Sequence, residues 1–151
     1  MTQSYLEALA ATKGGIAVTV VVPAKDEAEN LPILLDEIET ALSGRTFEVI
    51  VIDDGSSDGT DIVLQDYAAT HDWLRPVRHE KSCGQSCAVR TGLQHARGDV
   101  VATIDGDGEN NPAYIPQLLD ALEAAGPSAA LAAGQRLGRK ASLAKRYASR
   151  F

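Results

Sequence analysis

The chain has 151 residues, of which 44% are hydrophobic and 23% charged; that is the composition of one globular domain with a substantial core, and it excludes a disordered chain. No apolar run approaches the length that crosses a bilayer, and the opening MTQSYLEALAATKGG lacks the basic start, apolar stretch and cleavage site of a secretory signal, so the expected location is the cytoplasm. The net charge of −7 is unevenly spread: residues 136–151 hold Arg136, Arg139, Lys140, Lys145, Arg146 and Arg150 and no acid, leaving eight basic against 21 acidic residues elsewhere. An acidic body with a basic end excludes a nucleic-acid binder with a basic face, and fits a local phosphate site or an anionic membrane surface.

From Ile16 onward, strand-like and helix-like segments alternate, the pattern of βαβ units and a parallel sheet. Residues 16–22 form a continuous, mostly β-branched run, as expected of a strand covered on both faces. A helix follows with Leu31, Leu34, Leu35, Ile38 and Leu42 on one face, Pro32 near its start and Gly44 past its end. Residues 47–52 predict a second strand, and the turn-rich DDGSSDGT leads into a weaker helix from about Thr60 to Thr70. Residues 73–79 predict a short third strand that Pro76 restricts to a sheet edge or a break.

The next helix, from about Gln85 to Arg97, has a face of small residues, Ala88, Gly92 and Ala96, that permits close approach to the sheet. Residues 99–105 predict a fourth strand. Asn111 and Pro112 then make an N-cap and first turn for a helix with Ile115, Leu118, Leu119 and Leu122 on its apolar face, ending at Gly126–Pro127. Residues 128–134 are expected as a fifth strand despite weak β propensity, with a helical basic segment after them.

Three polar stretches fall at expected strand ends: PAKDEAEN (23–30), DDGSSDGT (53–60) and DGDGEN (105–110). In a doubly wound sheet, ligands bind outside the C-terminal ends of the strands. Residues 23–30 contain no glycine, which excludes the glycine-rich turn of an ordinary dinucleotide site and removes the triphosphate loop of a nucleotidyltransferase. DDGSSDGT reads either as an Asx turn or as a site where Asp53 or Asp54 meets a base edge or ribose hydroxyls. In DGDGEN, Asp105, Asp107 and Glu109 alternate. Like charges this close destabilise one another unless a cation sits among them, and oxygen ligands favour Mg²⁺ or Mn²⁺ with positions left for water and substrate phosphate.

Cys83 and Cys87 stand four apart, with His79 four before Cys83. Without a second cysteine pair they fall short of a structural zinc pattern and read as reduced thiols at a helix start. His71 and His95 read as a loop residue and a helix C-terminal residue.

Together, VVPAKDEAENLP, EVIVIDDGSSDGT, HEKSCGQSCAVRTGLQHARGD, TIDGDGENNP and GQR resemble glycosyltransferase family 2 over about residues 16–136, and most of all its branch of dolichol-phosphate mannose synthases and bacterial polyprenyl-phosphate sugar transferases. The resemblance implies a GT-A fold, a three-layer α/β/α sandwich around a mostly parallel sheet. It divides the chain into an N-terminal extension (1–15), a nucleotide-sugar-binding domain (16–136) and a basic segment (137–151) that starts an acceptor region. It also implies a nucleotide-sugar pocket of Pro23, Lys25, Glu27, Ile52, Asp53, Asp54, Asp105, Gly106, Asp107 and Arg136. Metal ligands would be Asp105, Asp107 and Glu109, with Asp107, Glu109 and Arg136 catalytic and Arg139, Lys145 and Arg146 at the acceptor phosphate. Glu109 stands where the branch usually has Gln, and Lys25 replaces a commonly aromatic residue, which leaves the base open.

The implied activity is metal-dependent, inverting transfer of a sugar from a nucleotide diphosphate to a polyprenyl phosphate. Such an acceptor oxygen is already anionic, so positioning replaces a strong general base. A non-catalytic nucleotide-sugar-binding module is the alternative.

Overall fold

The computed structural model describes residues 15–134. Four strands, β1 (Val18–Ala24), β2 (Phe47–Asp53), β3 (Leu74–Arg78) and β4 (Val100–Thr103), form one parallel sheet in the order β3-β2-β1-β4. Between them run α1 (Leu31–Ala41), α2 (Thr60–Ala68) and α3 (Gln85–His95), and after β4 come a 3₁₀ turn (Pro112–Tyr114) and α4 (Ile115–Ala125). The order of the first three strands runs one way from β1, whereas β4 lies on its other side. The strand order therefore reverses between β1 and β4, where an α/β sheet opens a crevice for ligands.

Burial on both faces explains why β1 and β2 read as unbroken apolar runs. Val18, Val20, Val22, Val49 and Val51 pack with Leu31, Leu34, Leu35 and Ile38 of α1 and with Leu64, Ile115 and Leu119. Ile50 and Ile52 face the other way and pack with Ala88 of α3. The small face of α3 serves that approach: a Cβ on Gly92 would lie 2.3 Å from Val21 Cγ1, so this crossing admits no side chain. The fold is thus helices on both sides of a parallel sheet, as expected.

Pro76 sits in β3, which among the described residues pairs only with β2 and so lies at the sheet edge, the position a residue without an N–H tolerates. Asn111 caps as expected, accepting from the Ala113 N–H at 2.9 Å, but the first turn is 3₁₀ and the α-helix proper begins at Ile115. One expectation fails: residues 128–134 form no strand. SAALAAG has no β-branched residue, and its alanines offer little to hold a pleated, half-buried surface. Residues 129–134 instead lie beside β4 and α4, in a groove lined by Val100, Ala102, Leu118 and Leu122. The helix expected for the basic segment lies outside the described residues.

Candidate active site

The three polar stretches meet at the C-terminal edge of the sheet. Two of them, 23–30 and 53–60, are joined by hydrogen bonds. The Asp26 N–H donates to Ser56 Oγ at 2.9 Å, Glu27 N–H to Thr60 Oγ1 at 3.0 Å, and Ala28 N–H to Asp58 Oδ2 at 3.0 Å. In return the Ser57 N–H donates to Asp26 Oδ1 at 2.7 Å. Asp58 also takes the Thr60 N–H and hydroxyl on its other oxygen, and these donors, with Thr60 first, lower its pKa. Asp26 adopts φ +55°, a left-handed conformation to which aspartate is better suited than most residues. The clamp presents Lys25 and Glu27 to the cleft.

The cleft has a volume of about 320 Å³ and lies over the β1/β4 reversal. Pro23 and Ala24 end β1 and Lys25 and Glu27 follow it, Asp54 follows β2, and Asp105, Gly106 and Asp107 follow β4; Ser82, Gly84, Gln85 and Ala88 close it from the start of α3. Gly106 is buried, its N–H donates to Pro23 O at 3.2 Å, and an added Cβ would come within 3.1 Å of that oxygen. Close approach of the two strand ends is why glycine stands there.

Asp54 is 4% exposed and receives four donors. His79 Nδ1 (2.7 Å) and the Cys83 N–H (2.8 Å) meet Oδ1, while the Ser82 hydroxyl and the Gly84 N–H, both at 2.8 Å, meet Oδ2. Burial alone would raise its pKa, but these donors, the Cys83 amide foremost, outweigh it and hold the carboxyl far below the usual range. Its acceptor positions are filled, so Asp54 fixes the wall of the cleft formed by residues 82–85.

Asp53 is turned inward. It is 1% exposed, Oδ1 accepts from the Ser56 N–H at 2.8 Å, and Arg78, which also pairs with Asp61, lies 3.0 Å from Oδ2. Ile52 is fully buried and reaches the cleft only through its packing on Ala88.

At β4, Asp105 Oδ1 accepts from Gln85 Nε2 at 2.6 Å, and Asp107 Oδ1 accepts from the Glu109 N–H at 3.0 Å. Asp107 thus closes an Asx turn while facing the cleft. Glu109 is exposed and outside the lining. The carboxylates of Asp105, Asp107 and Glu109 do not converge as a three-ligand cluster. Asp105 and Asp107 nevertheless fit a hard cation that takes one or two carboxylates and leaves its other positions to water and phosphate. Arg136, Arg139, Lys145 and Arg146 lie outside the described residues.

Ala24, Ser82, Gly84, Gln85 and Ala88 also line the cleft and are not among the site residues expected from the sequence. Ser82 and Gly84 gain their role through hydrogen bonds to Asp54, 28 and 30 residues away, and Gln85 through Asp105, 20 residues away.

The lining carries four acids, Glu27, Asp54, Asp105 and Asp107, against one base, Lys25. An acidic crevice at the reversal point of a parallel sheet, with no glycine-rich turn after β1, is the ligand site of an α/β protein other than the dinucleotide type. The comparisons with known proteins resolve the class further. The family model for glycosyl transferase family 2 matches residues 19–147, and the chain belongs to this family.

The chain is 39% identical over 107 residues to undecaprenyl-phosphate 4-deoxy-4-formamido-L-arabinose transferase of Aeromonas hydrophila, covering 69% of this chain and 33% of that protein. It is 36% identical over 106 residues to dolichol-phosphate mannosyltransferase of Pyrococcus furiosus, covering 70% and 30% respectively. Among solved structures, a mannosyltransferase of Pyrobaculum calidifontis in complex with GDP-Man and Mn²⁺ matches with TM-score 0.55 and 35% identity over 60% of this chain and 27% of that one. Glucosyl-3-phosphoglycerate synthase of Mycobacterium tuberculosis with Mn²⁺, UDP and phosphoglyceric acid matches with TM-score 0.61 and 29% identity over 78% and 42%. The fold is GT-A. The chain spans about a third of the length of the curated relatives it matches.

Proposed function

We propose that this chain is the donor-binding part of a metal-dependent inverting glycosyltransferase that moves a sugar from a nucleotide diphosphate to a polyprenyl phosphate. The observation that carries the reading is electrostatic. The cleft lies where a nucleotide ligand binds in such a sheet, yet four carboxylates and one lysine line it. A diphosphate is itself anionic and is repelled by such a wall unless a divalent cation stands between them.

Asp105 and Asp107 would hold Mg²⁺ or Mn²⁺, which when bound supplies Lewis-acid stabilisation of the departing diphosphate. Gln85 orients Asp105 through its amide, and the Asx turn at Asp107 fixes that side chain. Pro23, Lys25, Glu27 and Gly106 border the donor, while Asp54 holds the 82–85 wall and Asp53 the turn below it. Glu109 would reach the metal or acceptor only by a change in its turn. Arg136 would contact the diphosphate or acceptor phosphate, and Arg139, Lys145 and Arg146 the acceptor phosphate or an anionic leaflet.

Mn²⁺ and GDP-Man or UDP in the complexes of related structures, and lipid phosphates in the names of curated relatives, support this reading. Among the described residues no helix is long and apolar enough to cross a membrane, and the proposed location is the cytoplasmic face, held peripherally. The test is a panel of nucleotide-diphosphate sugars with a short-chain polyprenyl phosphate and Mn²⁺, followed by release of nucleotide diphosphate and formation of glycolipid. Glycolipid formed from at least one donor is the expected result; donor binding with no transfer to any lipid phosphate would leave a binding module and end the transferase reading.

A further inference from the structure

His79, Cys83 and Cys87 are brought together on the side of α3 near the cleft, and their ligand atoms all lie within 4.8 Å of one another. Among the described residues no other set of three or more His, Cys, Asp or Glu side chains converges in this way. The fold creates the cluster from two elements. Cys83 precedes the Gly84 N-cap and Cys87 lies in the first turn of α3, whereas His79 follows β3 and is anchored by its N–H to Asp53 O at 2.9 Å. Neither cysteine is in a disulfide, and neither lines the cleft.

The imidazole is already oriented as a ligand. Its Nδ1 lies 2.7 Å from Asp54 Oδ1, and an ionised carboxylate only accepts, so Nδ1 carries the proton. In the neutral imidazole the lone pair is then on Nε2, which lies 2.9 Å from Thr91 Oγ1. A carboxylate that fixes the tautomer of a histidine through one nitrogen, leaving the other to a metal, is the usual outer-shell arrangement around a bound ion.

The geometry points to a thiophilic metal site at His79, Cys83 and Cys87, suited to Zn²⁺ or a similar soft or borderline divalent cation, with a fourth position open to water. The donor set separates it from the acidic cleft. Two sulfurs and an imidazole select zinc-like ions, whereas the carboxylates of Asp105 and Asp107 suit Mg²⁺ or Mn²⁺. Binding requires closure from the present spacing, release of the Thr91 hydroxyl from Nε2 and loss of the hydrogen bond from Cys83 Sγ to Lys81 O. The metal displaces one proton from each thiol, so two protons pass to the buffer for each ion bound. The bound ion ties the strand end at His79 to the first turn of α3.

The test uses the whole chain, reduced and stripped of metal, titrated with Zn²⁺ against a chromophoric chelator and separately with Co²⁺. One Zn²⁺ should bind per chain, unaffected by excess Mg²⁺, and should raise Tm. Co²⁺ should give a thiolate charge-transfer band in the near ultraviolet and the intense visible absorption of a tetrahedral centre. Cys87→Ala, whose side chain does not line the cleft, should remove the full intensity of the charge-transfer band, the Tm rise and tight Zn²⁺ binding together. Co²⁺ bound by the parent without sulfur-to-metal absorption, or Zn²⁺ affinity equal in parent and Cys87→Ala, would overturn the proposal. Neither readout requires nucleotide or transfer activity.

Discussion

Glu48 and Asp54 stand at the two ends of β2, and the sheet buries both, at 2% and 4% exposure. At the N-terminal edge, Glu48 accepts from the Thr19 hydroxyl and the Arg97 N–H, both at 2.8 Å, and pairs with Arg75 at 2.8 Å and more distantly with Arg97. Burial would raise its pKa; Arg75 and the other donors reverse that and lower it. At the C-terminal edge, Asp54 meets two backbone N–H groups, a hydroxyl and an imidazole. Among the described residues no arginine or lysine is its partner.

The difference is in what each end leaves over. Around Glu48 the protein supplies its own cations, and the charge is closed within the fold. Around Asp54 the donors satisfy the oxygens, but the cleft beyond keeps three further carboxylates against Lys25. A buried acid with its own arginines is a structural device. A buried acid held by backbone, hydroxyl and imidazole donors, beside a cleft whose described lining has more carboxylates than bases, stands at the edge where the proposed cation would complete the charge balance.

The largest expected effect is on stability at the structural end. Glu48→Ala strands the Arg75 guanidinium, which is partly exposed, and orphans the Thr19 hydroxyl and Arg97 amide; a loss of about 2–3 kcal/mol is expected in chemical denaturation. Nucleotide affinity measured above the unfolding range should be unchanged. If Glu48→Ala weakens nucleotide binding as much as Asp54→Asn does, the two ends are not separate.

Asp54→Asn keeps the volume but replaces one acceptor oxygen with a donor facing existing donors. It should cost about 1–2 kcal/mol in stability and, by loosening residues 82–85, weaken nucleotide binding about tenfold, read by calorimetry.

Acid titration sharpens the comparison further. Both folded-state pKa values are lowered, so the stability these groups contribute is present above their unfolded values of about 4 and is lost as pH falls below them toward the folded values. Glu48→Gln should therefore be less stable than the parent at neutral pH but lose less on acidification, giving a shallower acid limb in denaturation midpoints. Parallel acid limbs would mean that Glu48 contributes nothing to the pH dependence. The smallest effect is expected from Asp58→Asn, which keeps one acceptor oxygen in the exposed clamp between 23–30 and 53–60. Its nucleotide affinity should stay within about twofold of the parent and its stability within about 1 kcal/mol.

Much of the frame was readable from the chain because its signals are local. The β-branched runs of β1 and β2, the proline that confines β3 to an edge, and the Ala88–Gly92 face of α3 each report a contact made by their own residues. The pieces that escaped depend on distant partners. Ser82 and Gly84 gain a role only because Asp54 reaches them across the sheet edge, and Asp53 and Asp54, adjacent in sequence, alternate in direction so that one turns inward and the other borders the cleft. Alternation in DGDGEN singles out Asp105 and Asp107, which line the cleft, but past the turn at Gly108, with φ +70°, Glu109 lies outside the lining. Alanine-rich 128–134 fits the alternation of helix and strand, but it has no β-branched residue to hold a pleated surface and forms no strand.

The central claim is that the cleft binds a nucleotide diphosphate only through a cation held by Asp105 and Asp107. Calorimetric titration of GDP and UDP in Mn²⁺ and again in EDTA, for the parent and Asp107→Asn, tests it most directly. Binding of at least one nucleotide in Mn²⁺, lost in EDTA and weakened at least about tenfold by Asp107→Asn, is the predicted result. Equal affinity with and without metal, or binding by Asp107→Asn indistinguishable from the parent, would contradict the account.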